Sequence, residues 1–556
     1  MDIEQSSVEI MDEDAKKLYT LGYKQEFKRE FNGLSIFCFA FSIMGVLASV
    51  SSTINFPMLS GGPVSMVYGW ILGSSMVMCV ALSLAELVSA WPASGGLYFF
   101  AAKLTQHSSD GRWTPIVTWF TGWFNLIGNM ALVASIDYTL STMVMAEITM
   151  ATDFKFEATF PQTYGVYIVV LLLHGLMGSL PTRWLARVNQ VYVYLNMGST
   201  IVVIVCLFVL SPNKNSAHWV FTHFDADAVG WPAGLAFLLG LIDVMWTLTG
   251  YDCAAHLSEE CQNASKVAPK AIIQSVASVA VTGWILILAI AFTVPSIDEA
   301  LATATGMPMA QILYVNCGKN ATLVLWICII LVQFFTGSAT VVAASRVIFA
   351  FSRDNALPFS RLWKKVSPYT HTPVNAVWML VTCSAVLGCL GFIAISALNA
   401  VFNVASIGLY VSYTIPIFCR ITIGRDNFVP GPFSLGKWAV PIGSVACLWV
   451  AFISIIFLLY VHISHGIISM NILFTNQISI FLRNSPFTIP VNDLDMNYAV
   501  VVIGAIVIGA GLWFAIDAHK WFHGPVVNVE SDSVSTESAS VEEKTAGSVD
   551  QIEKVE

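Results

Sequence analysis

The stretch Gly240–Glu260, GLIDVMWTLTGYDCAAHLSEE, decides how the rest of the chain is read. It sits in an apolar segment long enough to cross a bilayer, yet it carries Asp243 and Asp252. Between them, Trp246-Thr247-Leu248-Thr249-Gly250 is a poor stretch for a continuous helix, because glycine and β-branched threonine both lower helical preference. A carboxylate near mid-membrane costs about 2.5–3.5 kcal/mol on insertion scales, so it normally faces a cavity or a partner. Polar, interrupted spans of this kind are where secondary transporters build their substrate sites.

Outward from this stretch, composition points the same way. Of 556 residues, 56% are hydrophobic and only 11% are charged, against about 25% charged in a soluble domain. The expectation is an all-α polytopic membrane protein, with the lipid bilayer as its surroundings. The net charge of −9 comes mostly from the tails, and without a basic patch interleaved with aromatics nucleic-acid binding is excluded. The first residues, MDIEQSSVEIMDEDAKK, are acidic and polar, unlike a secretory or mitochondrial leader. The 11 cysteines are scattered and form no C-x-x-C pair. Free thiols are therefore expected, with no disulfide framework, no metal site and no cofactor.

About twelve apolar spans follow an N-terminal tail over residues 1–33, each near the ~20 residues a bilayer requires. They fall near 34–56, 63–90, 115–149, 164–181, 188–211, 232–258, 271–295, 321–345, 375–394, 397–420, 437–461 and 498–518. The transporter domain is 34–519, and 520–556 reads as a disordered, Ser/Val/Glu-rich tail. With the N-terminus in the cytosol, only Lys155, Lys214, Lys319 and Arg483 of the 26 basic residues fall on the outer side, and none falls mid-span. An even number of spans with both termini cytosolic satisfies the positive-inside rule.

The first span is the second unusual one. Phe41-Ser42-Ile43-Met44-Gly45-Val46-Leu47-Ala48-Ser49-Val50-Ser51-Ser52 is rich in small and hydroxylated residues. Such residues also serve close helix packing. Spans one and six, however, are five apart, and paired interruptions at that spacing suggest two inverted five-helix repeats with a site at their interface. The repeats would cover about 34–211 and 232–420, with two peripheral helices over about 437–518.

Several segments resemble the amino acid–polyamine–organocation transporter superfamily. They are Ser83-Leu84-Ala85-Glu86-Leu87 with Ala90-Trp91-Pro92-Ala93-Ser94-Gly95-Gly96-Leu97-Tyr98, and Ser258-Glu259-Glu260 with Val267-Ala268-Pro269-Lys270-Ala271-Ile272. The exit of span eight, Ser345-Arg346 and Phe349-Ala350-Phe351-Ser352-Arg353-Asp354-Asn355-Ala356-Leu357-Pro358, is similar as well. Gly22-Tyr23-Lys24-Gln25-Glu26, Phe41-Ser42-Ile43-Met44-Gly45, Ser135-Ile136-Asp137-Tyr138, and Arg425-Asp426 with Pro430-Gly431-Pro432-Phe433 resemble the fungal amino acid/choline branch, especially the γ-aminobutyrate (GABA) permeases. The resemblance implies a LeuT-type fold, alternating access and proton symport of a small amino-bearing solute. GABA or a related amino acid leads as substrate; choline, a polyamine, a biotin-pathway amino acid and a non-transporting nutrient sensor are the alternatives. The plasma membrane is favoured over the vacuole. Two features depart from the resemblance. Asp243 stands where a neutral residue is expected, and the outer loop 462–496 is long and apolar, either an interfacial segment or translated intron.

Candidate site residues follow. If span one unwinds near Gly45, Val46 and Ser49, its freed amides offer a carboxylate site at a helix N-terminus. Thr247, Thr249 and Gly250 offer amides or carbonyls to an opposite group. Asp243 and Asp137 would take a substrate ammonium or a proton, the plainer readings being bonds to neighbouring hydroxyls for Asp243 and a helix-packing contact to a broken span for Asp137. Trp246 sits where the superfamily often keeps a gating aromatic, and with Phe334 and Phe335 it offers rings to an ammonium. Asn403, with Asn399 one turn before it, would line the cavity or bond between helices. Asp252 is expected to cap the inner half-helix. Tyr251 flanks the interruption, and Glu86, Glu259 and Glu260 are read as gating or loop-anchoring acids, with Lys266, Lys270 and Arg346 as partners. His174 and His256 are lone histidines without metal partners, and His256, near Asp252, is a candidate for proton coupling. The tails resemble sites for turnover machinery, with solvating tails as the simpler account.

Overall fold

The computed structural model describes residues 13–106, 111–227, 229, 232–393, 395–470 and 498–526. The chain divides into two units. One comprises the terminal segments Met1–Glu26 and Val526–Glu556, and its described helix is Glu13–Thr20. The other, Phe27–Pro525, contains the membrane spans found among the described residues. The fold is all-α. Among the described residues the only β-type pairing is an isolated parallel bridge between Phe31 and Cys261.

Among the described residues, ten helices are long and apolar enough to cross a membrane, and two shorter apolar helices, Ala233–Thr247 and Val502–Ile516, complete the expected set of twelve. Their order is Gly33–Leu59, Gly62–Ala90, Thr114–Ala151, Phe160–Gly178, Thr182–Leu210, the broken sixth, Ala264–Thr293, Lys319–Arg353, Val374–Phe392, Ile395–Ile421, Ala439–Met470 and Tyr498–Ile516. Three bounds differ from the hydropathy reading for physical reasons. Span seven begins at Ala264 and carries Pro269 inside it. Proline donates no N–H, which frees the carbonyl four residues earlier; Ser265 O instead accepts from Ser89 Oγ of span two at 2.8 Å. Span eight runs on to Arg353 because buried carboxylates receive its two arginines. Span eleven continues to Met470, so the first residues of the expected loop 462–496 are helical. Residues 471–497 lie outside the described residues, as do the tail segments 1–12 and 527–556.

With no water in hydrocarbon, packing between spans rests on close approach and on satisfied polar groups. Spans two and seven lie side by side, as do spans three and eight. At the first of these contacts a Cβ on Gly283 would sit 2.1 Å from the Trp70 ring, and Trp70 Nε1 donates to Ala280 O at 2.8 Å. Gly165 of span four, by contrast, has nothing within 4 Å of a Cβ. Gly283→Ala should therefore overpack the interface and cost about 1–3 kcal/mol, lowering the apparent melting temperature of the detergent-purified protein. Gly165→Ala should leave it unchanged or raise it.

Candidate functional site

Gly45 ends the helix Gly33–Met44 and begins the helix Val46–Thr53. It holds φ +42 and ψ 55, the left-handed region that glycine adopts without steric cost. A Cβ there would lie 2.3 Å from Thr336 Oγ1. Thr336 uses the space: its hydroxyl donates to Ser42 O at 3.0 Å and shares a 2.9 Å bond with the Tyr192 hydroxyl. The break is narrower than the Gly45–Ser49 unwinding read from the sequence. Ser49 stitches it, its amide bonding Gly45 O at 2.9 Å and its hydroxyl donating to Met44 O at 2.8 Å. The first amides of the second half, beginning at buried Val46, have no acceptor within their own helix.

Span six is interrupted twice. A bend at Gly240–Leu241 separates Ala233–Leu239 from Ile242–Thr247, and residues 248–252 then leave the helix before the single turn Cys253–His256. Gly250 holds φ +88, and a Cβ on it would lie 2.4 Å from Ile43 Cγ2. The breaks of spans one and six therefore face each other. A narrow gap between them is lined by Ile43, Leu132, Asn129, Gly250, Asp252 and His256, with Thr340 of span eight closing it.

Two tyrosines of span ten hold the sixth-span break together. The Tyr410 hydroxyl reaches both Met245 O, at 2.9 Å, and Leu248 O, at 3.0 Å. Tyr413 Oη accepts from Gly250 N at 3.3 Å and donates to Asp252 Oδ1 at 2.7 Å. The Thr249 hydroxyl turns back to Met245 O at 2.6 Å. The Thr247 and Tyr251 hydroxyls are buried without a hydrogen-bond partner. The two threonines thus differ: Thr249 repairs the backbone, and Thr247 leaves a hydroxyl unused.

The three acids have different surroundings. Asp243 is buried and accepts from Thr53 Oγ1 at 2.6 Å, which joins the sixth span to the second half of the first. Asp137 is fully buried against His174, Oδ1 to Nδ1 2.9 Å, at a place where Gly337 of span eight leaves room. Its contact is with span four rather than with a broken span, and neither it nor Asp243 lines the gap, which Asp252 alone of the three acids does. Asp252 makes no side-chain capping bond, contrary to the expectation of a helix cap. Spans three and ten supply the polar partners instead, with Asn125 Nδ2 at 3.3 Å adding to Tyr413, and these offer a buried carboxylate better-placed donors than the amides of a four-residue turn. His256 approaches the same carboxylate at 3.1 Å. Trp246 is half-buried beside the break. Phe334 and Phe335 pack on His174 and Tyr192, with ring centroids 4.6 and 5.3 Å apart. Asn403 is half-buried on span ten, and the Asn399 side chain lies outside the described residues.

At the end of the bundle where span one begins, the acids form buried ion pairs. Glu259 meets Arg353 through two 3.0 Å bonds and accepts from Ser94 N at 2.9 Å. Glu260 meets Arg346 at 2.8 Å and Thr182 Oγ1 at 2.7 Å. Glu86 lies 3.4 Å from Arg420 and accepts from Ser434 Oγ and Leu435 N. Arg346 is the partner expected from sequence; Arg353 and Arg420 stand where Lys266 and Lys270 were expected. The Trp91–Gly96 turn is fitted to this cluster. Ser94 O bonds His256 at 3.0 Å, and a Cβ on Gly96, at φ +53, would lie 2.8 Å from the same ring. Burial alone would push the Glu259 carboxyl up, but the Arg353 charge and hydrogen bonds outweigh it and hold it below its ordinary value.

Sequence reasoning missed Tyr410, Tyr413, Asn125 and Asn129. Their only signal was polar tips spaced three and four residues apart on otherwise apolar helices.

Facing helix breaks in an all-α membrane bundle are the architecture in which secondary transporters hold their solutes. The chain belongs to the amino acid permease family, whose sequence model matches residues 31–508. It is 38% identical to an uncharacterised amino-acid permease of Schizosaccharomyces pombe, over 95% of this chain and 92% of that one. It is 35% identical to amino-acid permease BAT1 of Arabidopsis thaliana, over 95% of this chain and 99% of that one. A Candida albicans protein named for polyamine transport is 29% identical over 94% of this chain and 91% of its own length. The family match and the relatives' names give a permease rather than an enzyme.

Tyr410→Phe strips two buried carbonyls of their shared donor. It should cost about 1–3 kcal/mol, read as a lower apparent melting temperature, and should impair solute uptake. Glu259→Gln breaks a buried pair and should cost about 3–5 kcal/mol. Because the folded-state carboxyl is held down, its contribution is complete above the ordinary carboxylate pKa and is lost as pH falls through the depressed folded value. The acid limb of a melting-temperature profile should therefore flatten in Glu259→Gln.

Proposed function

We propose that this permease imports a small amino-bearing solute, GABA or a related amino acid, by proton symport and alternating access. The observation that carries the reading is the apposition of the Gly45 and Gly250 breaks. A substrate carboxylate goes to the free amides at the start of Val46–Thr53, favoured by the helix dipole. The ammonium goes to Asp243, whose carboxylate has acceptor capacity beyond its bond to Thr53, with Trp246 and the unused Thr247 hydroxyl beside it. Thr53 lies seven residues beyond Val46, roughly 10 Å along the helix. A solute whose ammonium is several bonds from its carboxylate bridges that distance better than an α-amino acid does, which favours GABA.

Spans one to five and six to ten are read as the inverted repeats, and the two sets rock against each other to open first one side, then the other. Both termini are placed in the cytosol and the chain in the plasma membrane, with the tails as the place for turnover machinery. Lys319 bonds Ala151 O, so these ends of spans three and eight lie on one side of the bundle, which this reading assigns to the outside. The buried ion pairs of Glu86, Glu259 and Glu260 then close the inner side. A second reading, a polyamine as cargo, is favoured by the name of the Candida albicans relative and by Asp243 itself, which suits a cationic solute.

Radiolabelled GABA, putrescine, choline and proline offered to a permease-deficient yeast expressing this chain should separate these readings. GABA uptake should saturate, and Asp243→Asn should reduce it at least tenfold. Uptake indifferent to Asp243→Asn would remove this acid from the site, and saturable uptake of putrescine alone would select the second reading.

A further inference from the structure

His256 lies at the floor of the gap, and both of its ring nitrogens face acceptors. Nδ1 is 3.0 Å from Ser94 O, and Nε2 is 3.1 Å from Asp252 Oδ2. A carbonyl oxygen only accepts. An ionised carboxylate only accepts as well, whereas a neutral imidazole has one N–H to give. Both bonds form at once only when the pair carries one more proton, either as imidazolium beside carboxylate or as neutral imidazole beside a protonated Asp252. Both residues are buried, at 1% and 3% exposure. In either form the pair is neutral overall, the form that low-dielectric surroundings favour.

The neighbours turn that proton into a link. Tyr413 joins Asp252 to the Gly250 amide at the substrate-side break. Ser94, which receives His256 through its carbonyl, donates its amide to Glu259, and Glu259 holds Arg353. The titratable groups facing the pair are the Tyr413 and Tyr251 phenols and the Cys253 thiol, with Glu259 and Arg353 beyond Ser94.

We propose that the Asp252–His256 pair is the carrier of the coupled proton and that its occupancy ties the span-six break to the inner ion-pair closure. With the proton bound, His256 holds Asp252 and Ser94 together. When the N–H proton passes to water on the inner side, the ring keeps one hydrogen, and one of the two bonds is lost. The strap between the break and the Glu259–Arg353 pair then opens. Rebinding of a proton from the outer side restores both bonds. This inference rests on the proton-symport reading. The other buried pair, Asp137–His174, is a poorer carrier on the same grounds. It does not line the gap, and the outer atoms of both partners, Asp137 Oδ2 and His174 Nε2, have no hydrogen-bond partner, so nothing there requires a second proton.

The test uses the full chain purified into proteoliposomes, with radiolabelled GABA and putrescine as probes. A gradient of one pH unit should drive about tenfold accumulation of the transported probe if one proton moves per solute. In His256→Gln that accumulation should fall to unity, while counterflow exchange, which needs no net proton movement, persists. His174→Gln should accumulate as the wild type does. If His256→Gln is not recovered from the membrane, Asp252→Asn replaces it; this keeps an acceptor for Tyr413 and removes the charge, and the same split is expected. Full accumulation by the variant, or loss of exchange together with accumulation, would overturn the carrier assignment alone. A wild-type protein that accumulates neither probe under the pH gradient would overturn the symport reading, and the carrier assignment with it.

Discussion

Every structural feature of the site follows from one constraint: a backbone that leaves the helix inside hydrocarbon must still satisfy its amides and carbonyls. Span six leaves the helix over residues 248–252. Two hydroxyls on neighbouring turns of span ten repair it, Tyr410 at the carbonyls of Met245 and Leu248 and Tyr413 at the Gly250 amide. Span one meets the same constraint with a one-residue break at Gly45, closed by Ser49 from within and Thr336 from span eight. The breaks are therefore held from scaffold helices, and the groups left over there include the first amides after Gly45 and the Ser42, Thr247 and Tyr251 hydroxyls.

Charge burial extends the same logic to the end of the bundle. Glu259 and Glu260 are adjacent in sequence, yet each faces its own arginine two turns apart on span eight, Arg353 and Arg346. An unpaired charge at either place would cost several kcal/mol, so separating the two helices carries a large penalty. Such a contact suits a closure that opens only when a ligand or a proton offsets it. His256 and Ser94 join that closure to the span-six break through three hydrogen bonds.

Much of this was legible in the chain itself. Hydropathy located the twelve spans to within a few residues over most of the chain, because hydrocarbon thickness sets helix length. The GLIDVMWTLTGYDCAAHLSEE stretch announced its own interruption, and Gly45 marked its counterpart. The acid pair and the Trp91–Gly96 turn were visible as motifs, although their partners were not. Asp252 shows the limit: next to a break it reads as a helix cap, and only the approach of Asn125 and Tyr413 from distant helices reveals what it bonds.

The sequence by itself determined the class, the spans, the positions of both breaks and the acids worth examining, because those rest on local composition and periodicity. Tertiary structure decided which polar groups meet. Asp137 went to His174, Asp243 to Thr53, and Asp252 to His256 and Tyr413. Among apolar helices many pairings are nearly equal in packing energy. The few polar side chains select one of them, because each buried donor or acceptor left unpaired costs about 1–3 kcal/mol. Two of these contacts, Asp243 to Thr53 and Asp252 to Tyr413, join residues more than a hundred positions apart, and no reading of neighbours along the chain can make them.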